Sequence, residues 1–177
     1  MPARSDGEPR VTHVSLVAED VAASTEFYES VLGCEPVETP AFGDQEDFHA
    51  EEGISFRILR IGDVQLHLWN DPAREPEATA FAHFGVHVDD FEAVYRRAVE
   101  RDAFAAIGEE TAPPQVFAFN GTAQIYLRDP SGNLLEVDYP DIEALDHSVF
   151  DEVVTRETSG PDLGVYTDEL LASLSTR

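Results

Sequence analysis

VTHVSLVAED at residues 11–20 and AHFGVHVDD at residues 82–90 decide the fold. In each, an alternating run rich in β-branched residues leads to an aspartate that opens a helical pattern. A histidine stands seven residues before that aspartate, His13 before Asp20 and His83 before Asp90. The correspondence continues at the far end of each stretch: His67, in DVQLHLW, follows His13 by 54 residues, and Glu136, in NLLEVDY, follows His83 by 53. Self-similarity at such a period marks a repeated supersecondary unit. Two half-domains, each offering a metal-binding side chain at its start and its end, describe a metal site built about a pseudo-two-fold.

Working outward, residues 11–18 read as a strand, and Asp20 caps a helix, VAASTEFYESVLG, that Gly33 ends. A Pro- and Gly-marked stretch follows over 36–53. Strands are expected at 54–61 and 64–69, joined by a tight turn at Gly62-Asp63. NDPAREPEATA (70–80) reads as the link between halves. The second half repeats the order: a strand at 82–88, a helix FEAVYRRAVERD capped by Asp89 or Asp90, strands near 115–119 and 122–128, a DPSG turn and a last strand at 133–139. The expectation is an α+β fold of two tandem βαβββ modules (11–70 and 81–139), a curved, cup-shaped mixed sheet with its helices outside. A disordered lead-in (1–10) precedes it. A C-terminal extension (140–177) follows, with helical stretches around 141–155 and 166–175.

The net charge of −25 argues against nucleic acid or an anionic membrane as partner, since both require basic patches. All 11 basic residues are arginine. No apolar run approaches the roughly 18 residues that span a bilayer, and the N-terminal stretch lacks the apolar core of a secretory signal. The single cysteine, Cys34, excludes an internal disulfide and a cysteine zinc cluster. A cytoplasmic protein acting on a small molecule is expected.

Strand side chains alternate between faces. His13 lies opposite Val14 and Leu16, and His83 and His87 lie opposite Phe84 and Val86. His67 and Trp69 lie opposite Leu66 and Leu68, and Glu136 lies opposite Leu135 and Val137. Each strand thus offers an aliphatic face to its helix and its candidate ligand to the other side. His13, His83 and Glu136 make two imidazoles and one carboxylate, a set that binds divalent iron or manganese facially and leaves positions open. His67 suits a fourth ligand or an acid/base beside the metal. His87 shares the face without a repeat partner. Trp69, Phe117 and Phe119 stand on faces that permit an apolar pocket wall, and the loops 41–53 and 108–121 are placed to shape that pocket.

These residues resemble the vicinal oxygen chelate superfamily, which includes glyoxalase I, extradiol dioxygenases, fosfomycin-resistance thiol transferases and bleomycin-resistance proteins. The resemblance covers about residues 11–139. Its most specific piece is IYLRDPSGNLLEV, similar to the end of the extradiol dioxygenase signature at Ile125, Tyr126, Asp129, Pro130, Gly132 and Glu136. The resemblance implies His13, His83 and Glu136 as ligands of Fe(II), with Mn(II), Ni(II) or Zn(II) as other cations of the family. It implies an acid/base role for His67, a substrate contact for Tyr126 and a homodimer. The signature's histidine upstream of Ile125 is replaced here by Phe117, Ala118 and Phe119. Ring cleavage of extradiol type is the first functional expectation. A glyoxalase-like lyase or isomerase is the second, although that activity carries a glutamate where His67 stands. A drug-binding resistance protein without chemistry is the third.

Overall fold

The computed structural model describes residues 11–37, 56–70, 82–106, 114–156, 166, 171, 172 and 174. The chain divides into two compact units, Met1–Glu77 and Ala78–Arg177. The first contains β1 (His13–Val17), α1 (Val21–Leu32), β2 (Glu35–Pro36), β3 (Phe56–Ile61) and β4 (Val64–Trp69). The second contains β5 (His83–His87), α2 (Phe91–Glu100), β6 (Gln115–Phe119), β7 (Thr122–Arg128) and β8 (Leu134–Tyr139), followed by β9 (Glu152–Arg156). Each unit is βαβββ, as the repeat implies, and the fold is α+β. The two-residue strand β2, absent from the sequence reading, completes the first copy.

Both helices start and stop for identifiable reasons. Asp20 and Asp90 each accept a hydrogen bond at 2.9 Å from the backbone N–H three residues on, at Ala23 and Ala93. At the end of α1, Gly33 takes φ 73°, and the N–H groups of Gly33 and Cys34 donate to the carbonyls of Glu29 and Tyr28. The Gly33 bond is that of an αL cap, whose left-handed conformation a glycine adopts without steric cost. Helix α2 ends two residues before the sequence reading, with Asp102 turning left-handed at φ 51°.

In each unit the first strand pairs in parallel with the last, and the remaining βαβββ pairings are antiparallel. The sheet orders are β1-β4-β3-β2 and β5-β8-β7-β6-β9. In the first unit Leu59, Leu66 and Leu68 are buried, as are Phe27, Tyr28 and Val31 of α1. In the second, Ile125, Leu127, Leu135 and Val137 are buried, as are Phe91, Val94, Tyr95 and Ala98 of α2. The period-2 and period-3.6 patterns therefore each supply one side of a common core, which leaves the opposite sheet face to the polar residues.

The DPSG segment is a built turn. Oδ1 of Asp129, itself buried, accepts from the backbone N–H of Ser131 and of Asn133, and Oδ2 accepts from the Asn133 side chain, each at 2.9 Å. Gly132 takes φ 85°. This turn sets the register that carries Glu136 into the sheet opposite Tyr126.

The C-terminal segment differs from the sequence reading. Residues 141–155 do not form a helix. They make two single 3₁₀ turns, Ile142–Ala144 and His147–Val149, and then most of β9, which pairs in parallel with β6. Val153 and Val154 suit a strand as well as a helical stripe, and the unpaired edge of β6 decides between them by supplying backbone partners. Ile142, Leu145 and Phe150 are buried, and Phe150 meets Phe91 and Tyr95 edge-on at 5.9 and 5.0 Å. Within the second expected stretch, residues 171, 172 and 174 are helical. The link at 71–80, the loop at 41–53 and residues 107–113 lie outside the described residues.

Candidate metal centre

The repeat seen in the sequence is a repeat of register. In the first unit His13 pairs with Gln65 and Ser15 with His67. In the second, His83 pairs with Leu134 and Gly85 with Glu136. Each candidate side chain on the first strand is thus diagonal to its counterpart on the last, on the same face, two residue pairs along. His67 and Glu136 occupy equivalent positions of the two copies.

In the second unit this diagonal brings His83 Nε2 to 3.1 Å from Glu136 Oε2. Two ligands bound at about 2.1 Å and at right angles on a six-coordinate divalent ion stand about 3.0 Å apart. The pair therefore has the separation of neighbouring ligands, as well as that of a hydrogen bond. The ring of Tyr126, which lies across from Glu136, meets His83 edge-on at 5.9 Å and Phe117 at 5.9 Å. Phe119 shares the face of Phe117 on β6 and is half-buried.

In the first unit the His13 and His67 rings stack at 4.6 Å, with 13° between their planes. Thr12 Oγ1 lies 3.0 Å from His13 Nδ1, which leaves Nε2 available for a ligand bond. Gln65 Oε1 accepts from His67 Nε2 at 2.9 Å, so His67 Nδ1 keeps its lone pair. Partial burial, and then the neighbouring His13, hold His67 below the ordinary histidine range. His67 is therefore a neutral base at neutral pH. Phe56 stands edge-on to His67 at 5.5 Å, and Trp69 lies on the same face of β4. No group of three or more His, Cys, Asp or Glu side chains that could hold a metal ion is found among the described residues. The expected ligands come together as the pairs His13–His67 and His83–Glu136.

His87 is separate from the His83–Glu136 pair. It lies opposite Asp138, its Nδ1 is 2.9 Å from the Tyr166 hydroxyl, and its Nε2 is 3.4 Å from Asp89. The sequence reading gave no role to three residues on or beside this face: Gln124, Asp138 and Tyr166. Glu136 and Asp138 are both buried, two residues apart on the same face of β8. Two buried carboxyls so close along one face disfavour each other's ionisation. Burial, and then the neighbouring Glu136, push Asp138 up to about 8. Its Oδ1 is buried without a hydrogen-bond partner. A side chain at Gly85 would meet Asp138 Oδ2 at 3.1 Å, so the glycine clears room for this acid between His83 and His87. The period-2 alternation of TAQIYLR and LLEVDY was the available signal for Gln124 and Asp138. Tyr166 had no local signal at all.

A family model described as Glyoxalase/Bleomycin resistance protein/Dioxygenase superfamily matches residues 10–137. No curated protein matches the chain. Among solved structures, the chain is similar to the genomically encoded fosfomycin resistance protein FosX from Listeria monocytogenes, at 13% identity and TM-score 0.53, covering 78% of this chain and 96% of that one. It is similar to a glyoxalase/dioxygenase from Nostoc punctiforme, at 20% identity and TM-score 0.53, covering 78% and 96%. It is also similar to a glyoxalase/bleomycin resistance protein/dioxygenase from Alicyclobacillus acidocaldarius, at 22% identity and TM-score 0.50, covering 79% and 95%. At these identities the likeness is one of fold.

Proposed function

We propose that this chain, which belongs to the Glyoxalase/Bleomycin resistance protein/Dioxygenase superfamily, is a divalent-metal enzyme acting on a small substrate that presents two neighbouring oxygens. The ligands in this reading are His13, His83 and Glu136. The observation that carries it is the 3.1 Å approach of His83 Nε2 to Glu136 Oε2, at the repeat position equivalent to the His13–His67 pair. A bound divalent cation supplies charge stabilisation and a fixed orientation for the two substrate oxygens. Fe(II) suits two imidazoles and a carboxylate.

The chain's own residues do the remaining work. His67, neutral and with a free Nδ1 lone pair, takes a proton from the substrate and returns it. Tyr126, beside His83, donates its hydroxyl to bound substrate. Phe117 and Trp69 give apolar surface against which a planar substrate packs and from which water is excluded. The first assignment is oxygen-dependent ring cleavage of extradiol type, in a homodimer. A second reading is a glyoxalase-like lyase or isomerase, in which a bound cation would stabilise charge on the substrate oxygens and Glu136 or His67 would move the proton, with the raised carboxyl of Asp138 beside Glu136.

The two readings separate in one pair of assays. Iron-loaded protein that consumes oxygen with a catechol supports the first. Nickel- or zinc-loaded protein that removes a methylglyoxal–thiol hemithioacetal without oxygen supports the second. Inactivity in both, with tight binding of aromatic drugs that survives chelator, overturns enzymatic function.

A further inference from the structure

We infer that Gln124 is a positioning residue, which clamps Glu136 so that one carboxylate oxygen, Oε2, is presented for metal binding. The inference rests on the metal-centre reading above and goes beyond it to a residue outside the ligand set. Gln124 stands on β7, two residues before Tyr126 on the same face, and pairs across the strands with Asp138. Its Nε2 donates to Glu136 Oε1 at 2.8 Å.

An amide NH₂ has two hydrogens. One of them serves the buried Glu136 Oε1, and the amide oxygen could not take that place without facing another oxygen. The consequence for Glu136 is geometric. With Oε1 held by Gln124, the plane of the carboxylate is fixed and Oε2 faces His83 at 3.1 Å. Gln124 and Glu136 are both buried, so water does not substitute for the amide. Without Gln124 the carboxylate turns about its terminal torsion, which is broad and roughly two-fold. Hydrogen-bond partners that orient a metal ligand are typically worth about 10- to 100-fold in metal affinity.

The test is Co(II) affinity of the full chain, by competition with a fluorescent chelator, for wild type and Gln124→Met. The methionine keeps length and volume and removes both donors. Thermal unfolding of the metal-free forms and the visible absorption of the Co(II) forms are recorded alongside. The expected result is a Co(II) dissociation constant about 10- to 100-fold weaker, a changed visible band, and a metal-free midpoint within a few degrees of wild type. Equal affinity and an unchanged band in Gln124→Met overturn the role of Gln124 while leaving the metal centre standing. Failure of wild type to bind Co(II) overturns the metal centre and the inference with it. Should Gln124→Met not fold, Gln124→Asn repeats the measurement, because its amide is one methylene short of the Glu136 carboxylate. Wild-type affinity in that folded variant refutes the clamp.

Discussion

Replacing Asp138 with asparagine changes how the stability of the metal-free protein depends on pH. Asp138 is 2% exposed, lies beside Glu136 on β8, and is raised from an ordinary 3.8 to about 8, by burial first and then by Glu136. A carboxyl raised in the folded state binds its proton more tightly there than in the unfolded chain. Between those two values the native state holds the extra proton, so stability falls as pH rises through the window. One proton changes stability by at most about 1.4 kcal/mol per pH unit. Between about pH 5 and about pH 7.5 the ceiling is therefore about 3 kcal/mol, and the coupling of Asp138 to Glu136 spreads the titration, so the expectation is about 1–3 kcal/mol. Asparagine keeps the shape and cannot ionise. Urea unfolding of wild type and Asp138→Asn at several pH values, in chelator, measures the difference. The general repulsion of a chain of charge −25 acts on both proteins and cancels. Wild-type stability should fall more steeply than that of the variant. Parallel curves between about pH 5 and about pH 7.5 would refute the raised-carboxyl argument.

Two further outcomes follow from the geometry. Asp129→Ala removes the acceptor of three hydrogen bonds in the turn before β8, two of them to backbone N–H groups. Its unfolding free energy should drop by about 2–4 kcal/mol, a cost within reach of the loss of a buried network, and chemical denaturation reads it directly. His67→Ala should keep its metal and lose turnover. Because His67 lies below the ordinary histidine range, wild-type activity should persist on the acid side of neutrality until His67 gains its proton. Loss of metal in that variant would instead make His67 a fourth ligand.

The elements with strong local signals were legible in the sequence. Asp20 and Gly33 bound α1, and Gln115–Phe119 and Thr122–Arg128 have the limits that alternation and the intervening turn imply. The repeat of candidate positions was legible, but the parallel first-to-last strand contact that sets His13 diagonal to His67 and His83 diagonal to Glu136 was not. Less was legible where the signal is not local. Residues 152–156 became a strand because β6 offered an open edge, which no window of sequence contains. Gln124 and Asp138 alternate as the site residues do, yet glutamine and aspartate are ordinary on a solvated face. Only their burial beside Glu136 gives them meaning. Tyr166 reaches His87 from 79 residues away, far outside both copies of the repeat.

The most direct measurement is the metal content of protein purified without oxygen, with His13→Ala, His83→Ala and Glu136→Ala purified in parallel. A metal centre at these residues predicts close to one divalent ion per chain in wild type, by elemental analysis, and its loss in each folded variant. A wild type that binds no divalent metal even after reconstitution, or variants that retain it in full, would contradict the assignment.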